Sequence, residues 1–164
     1  MNYLGFKEFF DIIPLGSLKS FLDLDFVKQA KGSNHNHQTW EGGYLDHVLE
    51  TMNIARWLYT TSPRKLPFKL GDALLVMFLH DFEKPYKEKN SWQTKEERRK
   101  FRDFLIESLG IVISEEQRLA LLYVEGEHDY SNTERKMNEL AAFCHCCDIF
   151  SARLWHNQGK EHDW

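Results

Sequence analysis

The run Ala73-Leu-Leu-Val-Met-Phe-Leu79, which leads straight into His80-Asp81, constrains this chain more than any other feature. A stretch apolar on every side has to be buried, and at seven residues it is far short of the ~20 needed to span a bilayer. Lys84-Pro85 closes it, because proline has no N–H to give and clashes with the preceding turn. The pattern predicts a buried helix from about Asp72 to Phe82 that carries an imidazole and a carboxylate at its end. An unpaired Asp81 carboxylate at that depth is costly, and a bound metal ion removes the cost.

Helical spacing recurs along the chain. Leu4, Phe6, Phe9, Phe10 and Ile13 form one stripe, stopped by Pro14-Leu-Gly16. Ser17 reads as the N-cap of a second helix through Leu18, Phe21, Leu22 and Phe26 to about Ala30. Residues 31–43 are polar and glycine-bearing, a loop that includes Asn34-His-Asn-His-Gln-Thr-Trp40. Leu45, Val48, Leu49, Met52, Ala55 and Leu58 then mark a clear helical face. Another helix opens in the charged segment Lys95 to Arg102 and closes at Gly110. Ser114-Glu-Glu-Gln117 has the form of a capping box, and a last helix spans about Thr133 to Trp155. Ile111-Val-Ile113 is the one strand-like stretch and could equally be packed loop. The expectation is a single all-α domain of roughly six to seven helices: N-terminal helices over 1–31, a core over 34–153 and a polar tail over 157–164.

Net charge is −4 over 164 residues, with an isoelectric point near 6.1. That argues against coating a long nucleic acid, but leaves room for a small phosphorylated ligand held by a few local cations. The three cysteines all lie in Cys144-His-Cys-Cys147, too few and too close for a disulfide framework, so a reduced, cytoplasmic setting is expected. No signal peptide or membrane segment is read at the N-terminus.

Imidazole and carboxylate are the ligands that divalent transition metals prefer, with an open position where the site is catalytic. The chain offers His47 on one helix, His80-Asp81 at the end of another, and His145 and Asp148 on the last. The i, i+3 spacing of the last two puts them on one face. Singly these signals are weak. A histidine on an apolar helix is usually a core residue, and His-Asp occurs three times here, at His80, His128 and His162.

In combination they resemble the HD superfamily of metal-dependent phosphohydrolases. His47, then His80-Asp81, then Asp148 follow that family's order. Leu74-Leu-Val-Met-Phe-Leu-His-Asp-Phe-Glu-Lys-Pro85 is similar to the HD-x-x-K-P form of its motif. Gly42-Gly-Tyr-Leu-Asp-His47 resembles its Gly-Gly-Leu-x-x-His segment, Glu125-Gly-Glu-His128 falls where members place a further histidine, and His145-Cys-Cys-Asp-Ile-Phe-Ser-Ala152 is similar to the terminal helix. The resemblance spans roughly Asn34 to Arg153. It departs at Glu83, where many members have glycine, and in the two cysteines between His145 and Asp148.

The resemblance implies that His47, His80, Asp81 and Asp148 hold a divalent transition metal (Mn, Fe, Co, Ni or Zn). One ion is expected to be held firmly; in a binuclear variant His128 and His145 complete a second site, with Asp81 bridging. Lys84 is the expected phosphate contact and His128 the expected proton donor to the leaving oxygen. The activity implied is hydrolysis of a phosphoester or phosphoanhydride bond of a nucleotide, a deoxynucleotide among the candidates. A cyclic-nucleotide or dinucleotide phosphodiesterase and a nucleotide-binding HD sensor are the alternatives. Trp40 is a candidate for stacking on a base, and His37 and His35 for reaching phosphate. The five cations of Lys95 to Arg102 could assist a polyphosphate, although such runs are usually a solvated helix face. His162-Asp163, in the polar tail, reads as a chance copy. No long nucleic acid and no membrane are expected as partners, and homo-oligomerisation stays open.

Overall fold

In the computed structural model, which describes residues 2–13, 18–33, 36–90, 92–127 and 136–154, two glycines set where the central helix begins. Gly42 caps it at φ +81°, a left-handed conformation that disfavours side chains. At Gly43 a Cβ would come within 2.0 Å of the Gln38 carbonyl oxygen, so only glycine lets the 36–38 loop lie on the helix start. From there α4 (Gly43–Thr61) runs through the middle of the molecule. It is buried over 43–55 except at Glu50 and Asn53, which are partly covered.

Helix α5 (Leu70–Leu79) and helix α8 (Glu139–Leu154) pack against α4, and α7 (Glu115–Tyr123) packs on α8 and α5. Every residue of α5 from Ala73 to Leu79 is buried, as a helix apolar on all faces must be. The short helices α1 (Phe6–Phe10), α2 (Lys19–Leu22) and α3 (Asp25–Gln29) close the N-terminal side. There Phe6 and Phe10 meet Phe78 edge-on at 6.1 and 5.7 Å between ring centroids. Helix α6 (Lys95–Ser108) starts at a Thr94–Glu97 capping box. Its buried Arg102 donates to the Leu121 carbonyl at 3.0 Å, which ties α6 to α7.

The result is one all-α domain with a continuous core. Among the described residues there is no strand, and no helix is long and apolar enough to cross a membrane. The Ser114–Gln117 box is present in full, each side chain bonded to the other's backbone N–H at 3.2 and 2.8 Å.

Eight α-helices are described, more than the six to seven expected, because the segment predicted as one helix to Ala30 is two. Phe21 and Val27 are both buried, yet six residues apart they lie about two-thirds of a turn out of phase. A straight helix would expose one of them, so the chain extends at Leu24 (ψ +129°) and restarts. The proposed Ser17 cap lies outside the described residues. The stretch 111–113 is a connector, with Val112 exposed.

Candidate metal centre

Pro85 explains why α5 stops where it does. A helix continued through it would drive the pyrrolidine ring into the Asp81 carbonyl, so the chain turns at 80–83 and resumes as a 3-10 helix, Lys84–Lys89. His80 sits at the C-cap of α5, and its Nδ1–H donates to the Met77 carbonyl at 2.6 Å. His47, fully buried on α4, has Nδ1 3.0 Å from Ser151 Oγ on α8. The Ser151 hydroxyl donates to Glu50 Oε2 at 2.5 Å, so its oxygen accepts the His47 N–H. The Gln38 amide holds the same carboxylate oxygen at 2.8 Å.

With both Nδ1 atoms engaged, both Nε2 lone pairs face the same point, 3.2 Å apart. Asp148 Oδ1 lies 3.1 Å from His47 Nε2 and 3.7 Å from His80 Nε2. Asp81 Oδ2 lies at 3.6 and 3.2 Å from the same two atoms. Ligand atoms of His47, His80 and Asp148 all fall within 4.8 Å of one another, close enough to hold a metal ion. The chemistry fits. Two nitrogens bound at about 2.0–2.1 Å in a tetrahedral site stand roughly 3.3 Å apart, and each ligand imidazole ordinarily donates its other N–H as these do.

Charge balance points the same way. Burial drives the His47 imidazole down to about 4 even though Asp148 pulls it up. For His80 burial is outweighed by the Asp81 and Asp148 carboxylates, and its pKa rises. Asp81 is held well below the usual carboxylate range, burial being overcome by Lys84 and His80. Asp148 is lowered too, against burial, by its hydrogen bond to His47 and by His80. The two carboxylates thus draw positive charge to this point, from Lys84 and from a proton on His80, and a bound cation could take that proton's place.

The structure brings some of the expected residues together and leaves others apart. Lys84 is directed at the cluster, but its ammonium is held by Asp81 Oδ2 at 2.5 Å and the Gly32 carbonyl at 2.8 Å. His37 packs over His47, ring centroids 4.8 Å apart, with Nδ1 2.6 Å from Gln38 Oε1. Trp40 is placed elsewhere: its indole N–H is tied to the Asp46 carboxylate in the first turn of α4. His145 donates from Nδ1 to the Val124 carbonyl at 2.6 Å and, among the described residues, joins no group able to hold a metal. His128, His35 and His162-Asp163 lie outside the described residues. Cys144 and Cys147 are buried while Cys146 is exposed, so the three do not converge. Burial raises the Cys144 and Cys147 thiols.

Three polar residues around the histidines went unread in the sequence, although a signal for two of them exists. Glu50 follows His47 by three, and Ser151 follows Asp148 by three, so each is a polar group on a ligand-bearing face of a mostly buried helix. Gln38 carried no such mark. Glu83 is buried, with burial and then Asp81 raising its pKa; Arg98 Nε on α6 faces its Oε1 at 3.3 Å. Arg98 also pairs with Glu125.

Above the metal group opens a cavity of about 500 Å³ bounded by both Asp81 and Asp148. Five cations line it (Lys31, Lys84, Lys87, Lys95 and Arg98) against three carboxylates, a local excess of positive charge in a chain that is negative overall. Arg98 and Lys95 belong to the run read mainly as a solvated helix face; Trp92 stands in the same wall.

The chain matches no family model, no curated protein and no solved structure. Fold and site together define an all-α protein with a buried His/His/Asp group able to hold a metal ion at the base of a cationic cavity.

Proposed function

We propose that the protein is a metal-dependent phosphohydrolase of the HD type that acts on a nucleotide, deoxynucleotides included. One observation carries the reading: the His47/His80/Asp148 group borders a cavity whose wall carries an excess of cations. Metal chemistry and anion binding are thereby adjacent, as hydrolysis of a phosphate ester requires.

His47, His80 and Asp148, with Asp81 beside them, would hold the ion, which when bound supplies a water ionisable near pH 7 and positive charge for phosphoryl oxygens. The remaining work falls to the chain. Met77, Ser151 and Glu50 fix the two imidazoles in the tautomer that faces the ion. Lys84, already against Asp81, supplies the cation nearest the reacting phosphate. Lys31, Lys87 and Arg98 orient the rest of the anion. His128 is the residue the sequence offers for protonating the leaving oxygen. The reading takes one firmly held ion, at His47, His80 and Asp148; the second-site partner expected for His145, His128, lies outside the described residues.

Metal analysis of the purified protein should find about one transition-metal ion per chain. A nucleotide panel with manganese, cobalt or nickel should release phosphate, pyrophosphate or tripolyphosphate, the product naming the bond cleaved. Asp81→Ala should stop the release. A wild-type protein that retains no stoichiometric metal and turns over no nucleotide sinks the proposal.

A further inference from the structure

Among the described residues, Trp92 is the one Phe, Tyr or Trp side chain in the cavity wall, which the His37 imidazole also lines. It lies just before α6 and is half-buried, with its ring 5.3 Å from that of Phe101 at an interplanar angle of 46°. Phe101 is fixed in turn by Tyr86 at 5.6 Å and Phe104 at 6.2 Å. The indole is therefore backed by an aromatic cluster, and its remaining surface bounds the cavity.

Its surroundings are cationic. Lys95 opens α6 three residues after it, Arg98 follows about one turn later, and Lys31 and Lys87 line the same space, which extends to Asp81 and Asp148. A free phosphate needs only the cations. A cavity of about 500 Å³ that joins a metal group, a cationic wall and one large aromatic face suits an anion attached to a planar, apolar body. Trp40 does not compete for that body, because it is tied to Asp46 and is not part of the cavity wall.

We propose that Trp92 forms the base subsite of this cleft: the nucleobase stacks on the indole while the phosphates lie along the cations toward Asp81 and Asp148. The inference rests on the nucleotide reading above and adds the residue that separates nucleotides from simple phosphates. Stacking reads the π face rather than the hydrogen-bonding edge, so all bases are accepted and purines bind more tightly than pyrimidines.

The test compares two probes on the full chain in EDTA, so that binding is measured without turnover. Adenosine triphosphate reports base and phosphate together; inorganic tripolyphosphate reports the cationic wall alone. Trp92→Ala should weaken the nucleotide by about 5- to 150-fold, the range for losing one base–aromatic stack, and leave tripolyphosphate within about twofold. Trp92→Phe should keep most of the nucleotide affinity. Trp92→Leu, which retains an apolar body against Phe101, should behave as the alanine variant does and guards against a folding defect. Equal losses for both probes, or no loss for either, overturn the base subsite and leave the anion reading standing. Failure of the wild type to bind either probe, in EDTA and again with manganese restored, overturns both.

Discussion

The base of the cleft and its wall are built on different terms. The base is four residues from three helices (α4, the end of α5 and α8), all largely buried, with each imidazole held by a hydrogen bond from behind. The wall is half-exposed and comes from residues 31–33 and 36–37, the 3-10 helix and the start of α6. A base fixed by the core places ligands within tenths of an ångström, as metal binding demands. A wall of long cationic side chains supplies charge and reach, which suits an anion of variable length. Damage to the base should therefore be all-or-none, and damage to the wall graded.

The largest effect breaks the base. Asp148→Ala removes a proposed ligand oxygen that lies 3.1 Å from His47 Nε2. Changes merely behind a ligand cost 10- to 100-fold in metal affinity, so losing the ligand should cost more than about 100-fold. Metal content after dialysis should drop from about one per chain to none. Lys87→Ala, in the wall, should leave metal content unchanged; equal losses in both variants would erase the distinction.

Arg98 belongs to both regions. It faces the cavity, yet it also pairs with the buried Glu83, on which Arg102 acts as a second cation. Arg98→Ala should cost up to about 3–5 kcal/mol by taking from that carboxylate its ion-pair partner and leaving only Arg102 to act on it. The melting temperature should fall by on the order of 10 °C. Adding Glu83→Gln should return most of the stability but none of the tripolyphosphate affinity. Recovery of both would mean that Arg98 serves the fold alone.

Titration should also tell base from wall. His47 is held down to about 4 by burial, against an ordinary value of 6.5. Between those values the unfolded chain takes up a proton that the folded chain refuses. The contribution of His47 to stability is thus intact above 6.5 and is lost as pH falls toward 4. The loss is on the order of 3 kcal/mol. His80 acts in the opposite sense: its raised pKa adds stability that is complete below 6.5 and fades as pH rises through the folded value. Glu50 and Glu83, both raised, also favour the folded state as pH falls. Urea midpoints of the metal-stripped protein from pH 7 to 4, wild type against His47→Gln, isolate the His47 part. Parallel curves would show that His47 does not carry it.

Much of the base was legible in the sequence and little of the wall. His80-Asp81 announces itself because an apolar helix has to end on it, and Pro85 dictates the end. His47 and Asp148 are types that carry chemistry on otherwise apolar faces. The wall has no comparable signature: Lys31, Trp92 and Arg98 meet only through tertiary packing, and their local sequence is that of an ordinary polar surface. Arg102 shows the difficulty, being a member of a charged run that turns inward to bond the α7 backbone. Trp40 shows the converse, since its place beside the histidine loop suggests a site while its N–H serves the first turn of α4. The break between α2 and α3 was hidden because either Phe26 or Val27 completes a plausible stripe, and only the core decides between them.

The smallest effect tests whether the base is as rigid as its geometry implies. Ser151 accepts from His47, donates to Glu50 and touches no proposed substrate position. Ser151→Ala removes the bond that fixes the His47 tautomer while keeping all four proposed ligand side chains. Metal affinity should fall about 10- to 100-fold, and Ser151→Thr, which keeps a hydroxyl, should restore part of it. Tripolyphosphate binding in EDTA should not change, because the wall does not depend on that bond. If Ser151→Ala binds metal as the wild type does, the imidazole is held by packing alone, and the base is a product of the core rather than of its hydrogen bonds.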